Sequence, residues 1–293
     1  MKQIFKVYLS IVFYTITGMM HAQDIEELQR MADEDQQARM TEKIDWKVLN
    51  KEDSLRRVRV LDLMKEDKLK TAKDHLNAGI IFQHGNDTVS SSLAVKSFEK
   101  ALKLDPGLNR WWYAAAVDRD LMRRKKPQIY GTQIIKNKST NGKWARYDTD
   151  EHGATDEQRE YYGAGTLKEQ DEKIRLMNLI PLAALIEGKS IDEVISVISS
   201  EFKKGKASLY NVSETAVNDL GYGYVKANKE IEAFKIFELN TLLYPEAWNA
   251  FDSLGEQQLK LGRKKEGLEN YRKSLLLNPE NENARKILEE NGF

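Results

Sequence analysis

Three short polar strings in the first half of the chain hold the residue types that acid–base or phosphate chemistry requires. They are Asp33–Arg39 (DEDQQAR), Gln83–Gly85 (QHG), and Asp118-Arg119 followed by Pro127–Gln133 (PQIYGTQ). A histidine titrates near neutral pH, and an arginine beside a carboxylate can form a charge-assisted pair. The candidate site residues are therefore His84, Asp118, Arg119, Tyr130 and Gln133.

The helices that end beside these side chains must position them. His84 follows an apolar helical segment, and Asp118 and Arg119 lie near the end of a predicted helix from Trp111 to Met122 that Pro127 terminates. If the two helix ends face each other, the five side chains converge and His84 has a carboxylate or hydroxyl within hydrogen-bond reach. In the structural alternative, the same polar groups only satisfy helix ends and hold a long loop.

The order of these strings resembles an uncharacterised bacterial domain family. The strings DxDQxxR, QHG, DR and PQxYGTQ are followed by Asp156-Glu157-x-Arg159, and the resemblance covers about residues 24–180. It implies that ten residues occupy the family's pattern positions: Asp35, Gln36, Arg39, His84, Asp118, Arg119, Gln128, Tyr130, Thr132 and Gln133. It implies no particular reaction.

Composition excludes several classes of function. The 293-residue chain carries 46 basic and 46 acidic residues, so its zero net charge gives no overall attraction to nucleic acid. The basic run Arg123–Lys126 is interpreted as a solvated helix end, with binding of an acidic partner as the alternative. The chain has no cysteine and only four histidines, one of them in the first 22 residues, so we expect no zinc cluster of the usual nitrogen and sulfur ligands, and neither another metal nor a cofactor.

The first 22 residues have the layout of a secretory signal peptide. Lys2 and Lys6 precede an apolar run from Val7 to Met20, and Ala22 precedes the polar Gln23. The run is shorter than the roughly 20 apolar residues of a membrane span. An uncleaved anchor is the alternative, because Met20 is larger than the usual residue near a cleavage site. We expect an exported protein, periplasmic or secreted, without stable membrane insertion after cleavage near Gln23.

A 34-residue spacing organises the C-terminal part of the chain. The pairs at this offset are Leu220-Gly221 with Leu254-Gly255, Phe237 with Tyr271, and Pro245 with Pro279. Glycine inside a helix costs about 1 kcal/mol, so Gly221 and Gly255 are predicted at close contacts between helices.

This spacing resembles the tetratricopeptide repeat (TPR), a 34-residue helix-turn-helix unit. Two clear repeats cover about residues 212–281. A third, TPR-like hairpin at about 75–106 carries Ala94, Phe98 and Ala101 before Pro106, but has Phe82 where the repeat frame expects glycine. The resemblance implies binding of other polypeptides.

The predicted fold class is all-α, with TPR-like α-solenoid hairpins and a long irregular loop in the middle. We expect a signal peptide at 1–22 and a helical domain at 23–188, with the hairpin at about 75–106 and the loop at about 127–160. A C-terminal TPR array at 189–293 ends in a capping helix. Thr155 with Gln158 and Ser190 with Glu193 have the spacing of capping boxes, so a helix is predicted to begin at each.

Two functions are open at this point. The first is a protein–protein interaction or docking module, whose binding groove is lined by first-helix residues. Candidates for this groove are Asn218, Tyr222, Asn249 and Asp252. The second is an enzyme or small-ligand-binding domain with a pocket around His84, Asp118, Arg119 and Tyr130.

Overall fold

Helices dominate the structure, a computed structural model that describes residues 23–292. Fourteen α-helices and one two-stranded hairpin are present in this range, which confirms the predicted all-α class. The expected signal peptide at residues 1–22 lies outside the described residues. The chain divides between Gln170 and Asp171 into two compact units, so the boundary expected at residue 188 lies inside the second unit.

Side-chain caps begin three of the first helices. The Asp45 carboxylate accepts hydrogen bonds from the first turn of one helix, and the Asp87 carboxylate does the same for another. Thr71 and Asp74 form a reciprocal capping box. The first five helices are α1 (Glu26–Gln37), α2 (Trp46–Lys65), α3 (Ala72–Phe82), α4 (Thr88–Leu104) and α5 (Trp111–Arg123). They enclose one apolar core that includes Leu28, Val60, Ile81 and Phe98.

The segment expected as a long loop at about 127–160 is held by short elements. Strands β1 (Ile134–Ile135) and β2 (Ala145–Arg146) pair antiparallel. A short 3-10 turn, Lys138–Thr140, lies between them. Helix resumes as expected near Thr155, which caps α6 (Asp156–Tyr161). The next helix, α7 (Leu167–Met177), crosses the division between the two units.

The second unit continues with α8 (Ala183–Ile186) and α9 (Ile191–Lys203), the latter begun by the predicted Ser190 capping box. Four helices then follow the 34-residue spacing: α10 (Glu214–Lys226), α11 (Glu230–Leu243), α12 (Trp248–Lys260) and α13 (Lys264–Leu277). The expected last helix is α14 (Glu282–Glu290), which packs on α13 through Ala284 and Leu288.

The two repeat glycines lie at close helix contacts, as predicted. A Cβ atom on Gly221 would overlap the ring of Phe237, and one on Gly255 would lie 3.0 Å from the carbonyl oxygen of Gly267. The hairpin of α3 and α4 also has a glycine packed against an aromatic ring, but at a different position in the repeat. Gly79, rather than residue 82, lies against Phe98, where an added Cβ would be 2.6 Å from the ring.

The repeat spacing predicted the glycine of this hairpin at position 82, and that position was wrong. The connection between α3 and α4 spans residues 83–87, whereas residues 227–229 connect α10 and α11. The longer turn displaces the glycine relative to the aromatic residue that packs against it.

Across residues 23–292, no helix is both long and apolar enough to cross a bilayer.

Alanine substitutions at two glycines of α10 should change stability in opposite directions. Gly221→Ala should lower the free energy of unfolding by about 1–3 kcal/mol, because the new methyl group overpacks against Phe237. Gly223→Ala should raise it by about 0.5–1 kcal/mol, because nothing lies within 4 Å and alanine favours helix. Urea denaturation of both variants measures this, and equal signs would contradict the proposed helix contact. Gly262 also has open space around it, but it is unsuitable as a control because any side chain is strained at its φ of +74°.

Candidate functional site

The carboxylate of Asp118 holds the loop after α5. Its Oδ1 atom accepts hydrogen bonds from the backbone N–H groups of Ile129 and Tyr130, both at 2.9 Å. Its Oδ2 atom accepts from the backbone N–H and the hydroxyl of Thr132, both at 2.8 Å. Asp118 is fully buried, and these four donors satisfy its oxygens. Its observed role is therefore to fix the backbone of residues 129–132.

The glutamines of the PQIYGTQ string close the same loop. The buried Gln128 side chain accepts from the backbone N–H of Gln133 at 2.8 Å and donates to its carbonyl at 3.0 Å. Gly131 adopts a φ of +80°, which favours glycine, and Gln170 fills the space where a side chain would lie. The Nε2 atom of Gln170 donates to the carbonyl of Tyr130 at 2.7 Å. The string thus encodes a rigid loop.

Tyr130 contributes its ring to an aromatic group rather than to an open pocket. Its ring centroid lies 5.1 Å from that of Tyr162, which in turn lies 5.4 Å from Tyr113. Burial, followed by the neighbouring tyrosines and Asp118, raises the pKa of Tyr130 far above its ordinary value. Its hydroxyl is consequently a poor proton donor near neutral pH.

Arg119 is a largely buried cation with neutral partners. Its Nη1 atom donates to the side-chain oxygen of Gln83 at 3.1 Å, and its Nε atom lies 3.3 Å from the side-chain oxygen of Gln133. The expected ion pair between Asp118 and Arg119 is wrong, because backbone donors of the loop occupy the carboxylate. Burial, followed by the charges of Arg123 and Arg39, lowers the pKa of Arg119 to about 10.

His84 lies against Asp35, not against Asp118. Its Nδ1 atom is 2.8 Å from Asp35 Oδ2, close enough for an ion pair, although Nδ1 forms no hydrogen bond of good geometry. Arg39 bridges Asp35 and Asp53, with nitrogen–oxygen distances of 2.8 and 2.6 Å. Burial alone raises the pKa of Asp35, but His84 and Arg39 outweigh it and hold that pKa below its ordinary value.

The predicted site residues therefore fall into two connected groups. Asp118, Gln133 and the backbone of Tyr130 belong to the loop, and Gln133 links them to Arg119. His84 belongs to a charged group with Asp35 and Arg39, and its sequence neighbour Gln83 contacts Arg119. The carboxylate expected within reach of His84 is thus Asp35, which the DEDQQAR string contains.

Sequence reasoning missed several residues of these groups. Asp53 and Gln170 lie in no motif, and their partners come from distant parts of the chain. Gln83 belongs to the QHG string, but it was not among the candidate side chains. Arg159 was noted only in the resemblance. It is 2% exposed and donates to the carbonyls of Ile129 and Glu151, so it also holds the loop. Across residues 23–292, no cluster of three or more histidine, aspartate or glutamate side chains suits a metal ion.

An open cleft in the same unit lies beside the aromatic residues. It has a volume of about 270 Å³ and is lined by Pro106, Arg110, Tyr113, Tyr161 and Tyr162 among others. The Arg110 guanidinium lies over the Tyr161 ring at 4.6 Å. None of the five predicted site residues lines this cleft.

The four predicted groove residues lie on α10 and α12, which are neighbours in the second unit. The Tyr222 hydroxyl donates to Glu256 at 2.8 Å, and Asn249 Nδ2 donates to Glu214 at 3.1 Å. These bonds join the first helix of one repeat to the first helix of the next. We call the surface formed by Glu214, Asn218, Tyr222, Asn249, Asp252 and Glu256 the first-helix face.

Two residues of the first-helix face have polar groups whose burial the described contacts do not fully offset. Asn218 is 7% exposed, and its buried Oδ1 accepts no hydrogen bond from the described part of the chain. Asp252 accepts from the Nδ2 atoms of Asn281 at 2.7 Å and Asn283 at 3.2 Å. Burial nevertheless raises its pKa, and the nearby charge of Glu256 raises it further.

Replacing Asp118 should destabilise the first unit. Asp118→Ala leaves three backbone N–H groups without their acceptor, and we expect a loss of about 3–5 kcal/mol in the free energy of unfolding. The control is Asp150→Ala, because Asp150 is exposed and accepts one side-chain hydrogen bond, from the His152 N–H. Urea denaturation and limited proteolysis within residues 127–160 measure the effect. Equal stability of the two variants would contradict the assigned role.

Known proteins offer no family assignment for this chain. No protein-family model and no curated protein sequence matches it. The resemblances to the TPR and to the uncharacterised bacterial family therefore rest on the residues of this chain alone.

Proposed function

We propose that the chain is an exported helical repeat protein that binds a protein or peptide partner through the first-helix face. The TPR resemblance of residues 212–281 supports this proposal, as do the helix bounds and the glycine contacts of α10–α13. Export is supported by the sequence pattern of the first 22 residues. We therefore infer a periplasmic or secreted docking module.

The observation that carries this proposal is the unpaired amide of Asn218. Buried side-chain oxygens in folded proteins nearly always accept a hydrogen bond, and an unmade one costs about 1–3 kcal/mol. The Asn218 oxygen accepts none from residues 23–292. A backbone N–H of an extended peptide lying along α10 would supply the missing donor.

The charges of the first-helix face favour a basic partner. Glu214, Asp252 and Glu256 all belong to it, and Lys260 is the cation that pairs with Glu256. The raised pKa of Asp252 means that its ionised form is undercompensated in the folded chain. A lysine or arginine of the partner would stabilise that ionised carboxylate.

Selection from a displayed library of random peptides tests this proposal on the mature full-length chain. Selected peptides should be rich in lysine and arginine, and Asn218→Ala should weaken their binding about tenfold or more, the equivalent of about 1.4 kcal/mol. Asn218 makes no side-chain hydrogen bond with described residues, so this variant should keep its fold. Leu242→Ala, which changes a residue of α11 that is 73% exposed, should leave binding unchanged.

Two results of this selection would contradict the docking proposal. One is a set of acidic or apolar peptides whose affinity does not depend on Asn218. The other is an equal loss of affinity in the Asn218→Ala and Leu242→Ala variants, which would mean that binding occurs elsewhere.

A second candidate function is an enzyme or small-ligand-binding domain in the first unit. The observation that favours it is the contact of His84 with the buried carboxylate of Asp35 beside the largely buried Arg119. Asp118 and Gln133 are occupied in holding the loop, and Tyr130 is buried. The candidates for acid–base or ligand contacts are therefore His84, Asp35 and Arg119.

Proton NMR of the imidazoles tests the second candidate. The mature chain retains His75, His84 and His152, so the three rings are readily assigned by substitution. Titration with small ligands, beginning with phosphate, should shift the His84 resonances and leave those of the exposed His152 unchanged. If the His84 resonances stay unchanged throughout, or if those of both rings shift alike, the group of His84, Asp35 and Arg119 is not a binding site.

A further inference from the structure

Three arginines of the first unit surround the turn at residues 83–87. Arg119 and Arg123 are four residues apart on α5 and therefore share one face of the helix. Arg119 donates to the backbone carbonyl of Gln83 at 3.4 Å and to its side chain at 3.1 Å. Arg57, on α2, places its Cδ atom 3.2 Å from the position of a Cβ on Gly85. Two helices thus direct guanidinium groups to one turn.

In the described part of the chain, none of these three guanidinium groups has a carboxylate partner. Within residues 23–292, no aspartate or glutamate oxygen lies within 4.0 Å of Arg57, Arg119 or Arg123. Their sequence neighbours behave differently. Arg56 pairs with Asp53 at 3.1 Å, and Arg124 pairs with Asp120 at 2.7 Å. Arg57 and Arg123 thus differ from the arginines next to them in sequence, which both have a carboxylate partner.

Arg123 was interpreted from sequence as part of a solvated helix end, and the structure differs. Its Nε atom is buried and has no hydrogen-bond partner in the described chain. Burial lowers the pKa of Arg123, and the charge of Arg57 acts in the same direction. Half-buried positive charges that repel each other destabilise the folded state until an anion offsets them.

The nearby carboxylates are already occupied by other donors. Asp87 accepts from the N–H groups of Val89 and Ser90 and from the Ser90 hydroxyl. Asp120 accepts from Arg124 and from Ser91. Asp87 still offsets part of the charge of Arg123, but no carboxylate of the turn bonds directly to the three arginines.

We propose that Arg57, Arg119 and Arg123 bind an oxyanion of the phosphate type at the turn of residues 83–87. Guanidinium groups recognise phosphate oxygens through paired N–H donors. A tetrahedral phosphate offers at least three oxygens to three separate side chains, whereas a carboxylate offers two. The site shares Arg119 with the second candidate function, yet it requires neither catalysis nor docking of a peptide.

Isothermal titration of the mature full-length chain with inorganic phosphate at constant ionic strength tests this inference. The wild type should bind phosphate, and Arg123→Gln and Arg57→Gln should each weaken binding about tenfold or more, because each removes a charged donor. The control is Arg124→Gln, which removes the same charge one residue away and should change the affinity less than twofold. Acetate should bind more weakly than phosphate.

A thermal unfolding scan measures whether the variants remain folded. The Arg123 side chain makes no hydrogen bond with residues 23–292, so Arg123→Gln should stay folded, with a midpoint in phosphate-free buffer equal to or above that of the wild type because an unpaired charge is removed. Phosphate should raise the midpoint of the wild type and of Arg124→Gln, but not that of Arg123→Gln. Phenyl phosphate distinguishes the source of the ligand: tighter binding than phosphate indicates a phosphomonoester, and weaker binding indicates the free ion.

Three results would overturn the inference. The first is that neither phosphate nor phenyl phosphate binds at millimolar concentration. The second is an equal loss of affinity in Arg123→Gln and Arg124→Gln, which would show a general effect of net charge. The third is acetate binding as tightly as phosphate, which would assign the site to carboxylates.

Discussion

The first unit depends on a single buried carboxylate, that of Asp118. A buried ionised group persists only where donors surround it, and here three backbone N–H groups and one hydroxyl of residues 129–132 do so. This requirement fixes the loop against α5. The loop in turn places Gln133 beside Arg119, and its carbonyl groups receive Arg159 and Gln170. The arrangement of the polar residues around α5 therefore depends on the hydrogen bonds that the buried Asp118 carboxylate requires.

Local patterns in the sequence predicted those features that local geometry decides. The capping boxes at Thr155 and Ser190 and the close contacts of Gly221 and Gly255 depend on residues a few turns apart, and all are present. Gly79 escaped prediction because the five-residue turn before α4 changes the offset between the glycine and its aromatic partner.

Contacts between distant segments were beyond the reach of such patterns. The strings that hold His84, Arg119 and the PQIYGTQ loop indicated that a polar group exists, and its members do connect through Gln83 and Gln133. Which carboxylate faces which cation was not predictable, because Asp118 could be satisfied by backbone donors whose positions depend on the folded loop. The contact between His84 and Asp35 likewise requires α1 and the end of α3 to be placed in space.

A zero net charge conceals local imbalances of opposite sign within the two units. In the first, Arg57, Arg119 and Arg123 have no carboxylate partner among residues 23–292; in the second, burial and the nearby charge of Glu256 raise the pKa of Asp252. Exposed charges are screened over about 8 Å at physiological salt, so scattered surface residues say little about partners. Half-buried charges are screened less and are costly when unpaired. Each unit therefore carries its own electrostatic demand, for an anion at one site and for a cation at the other, and neither demand depends on the charge of the whole molecule.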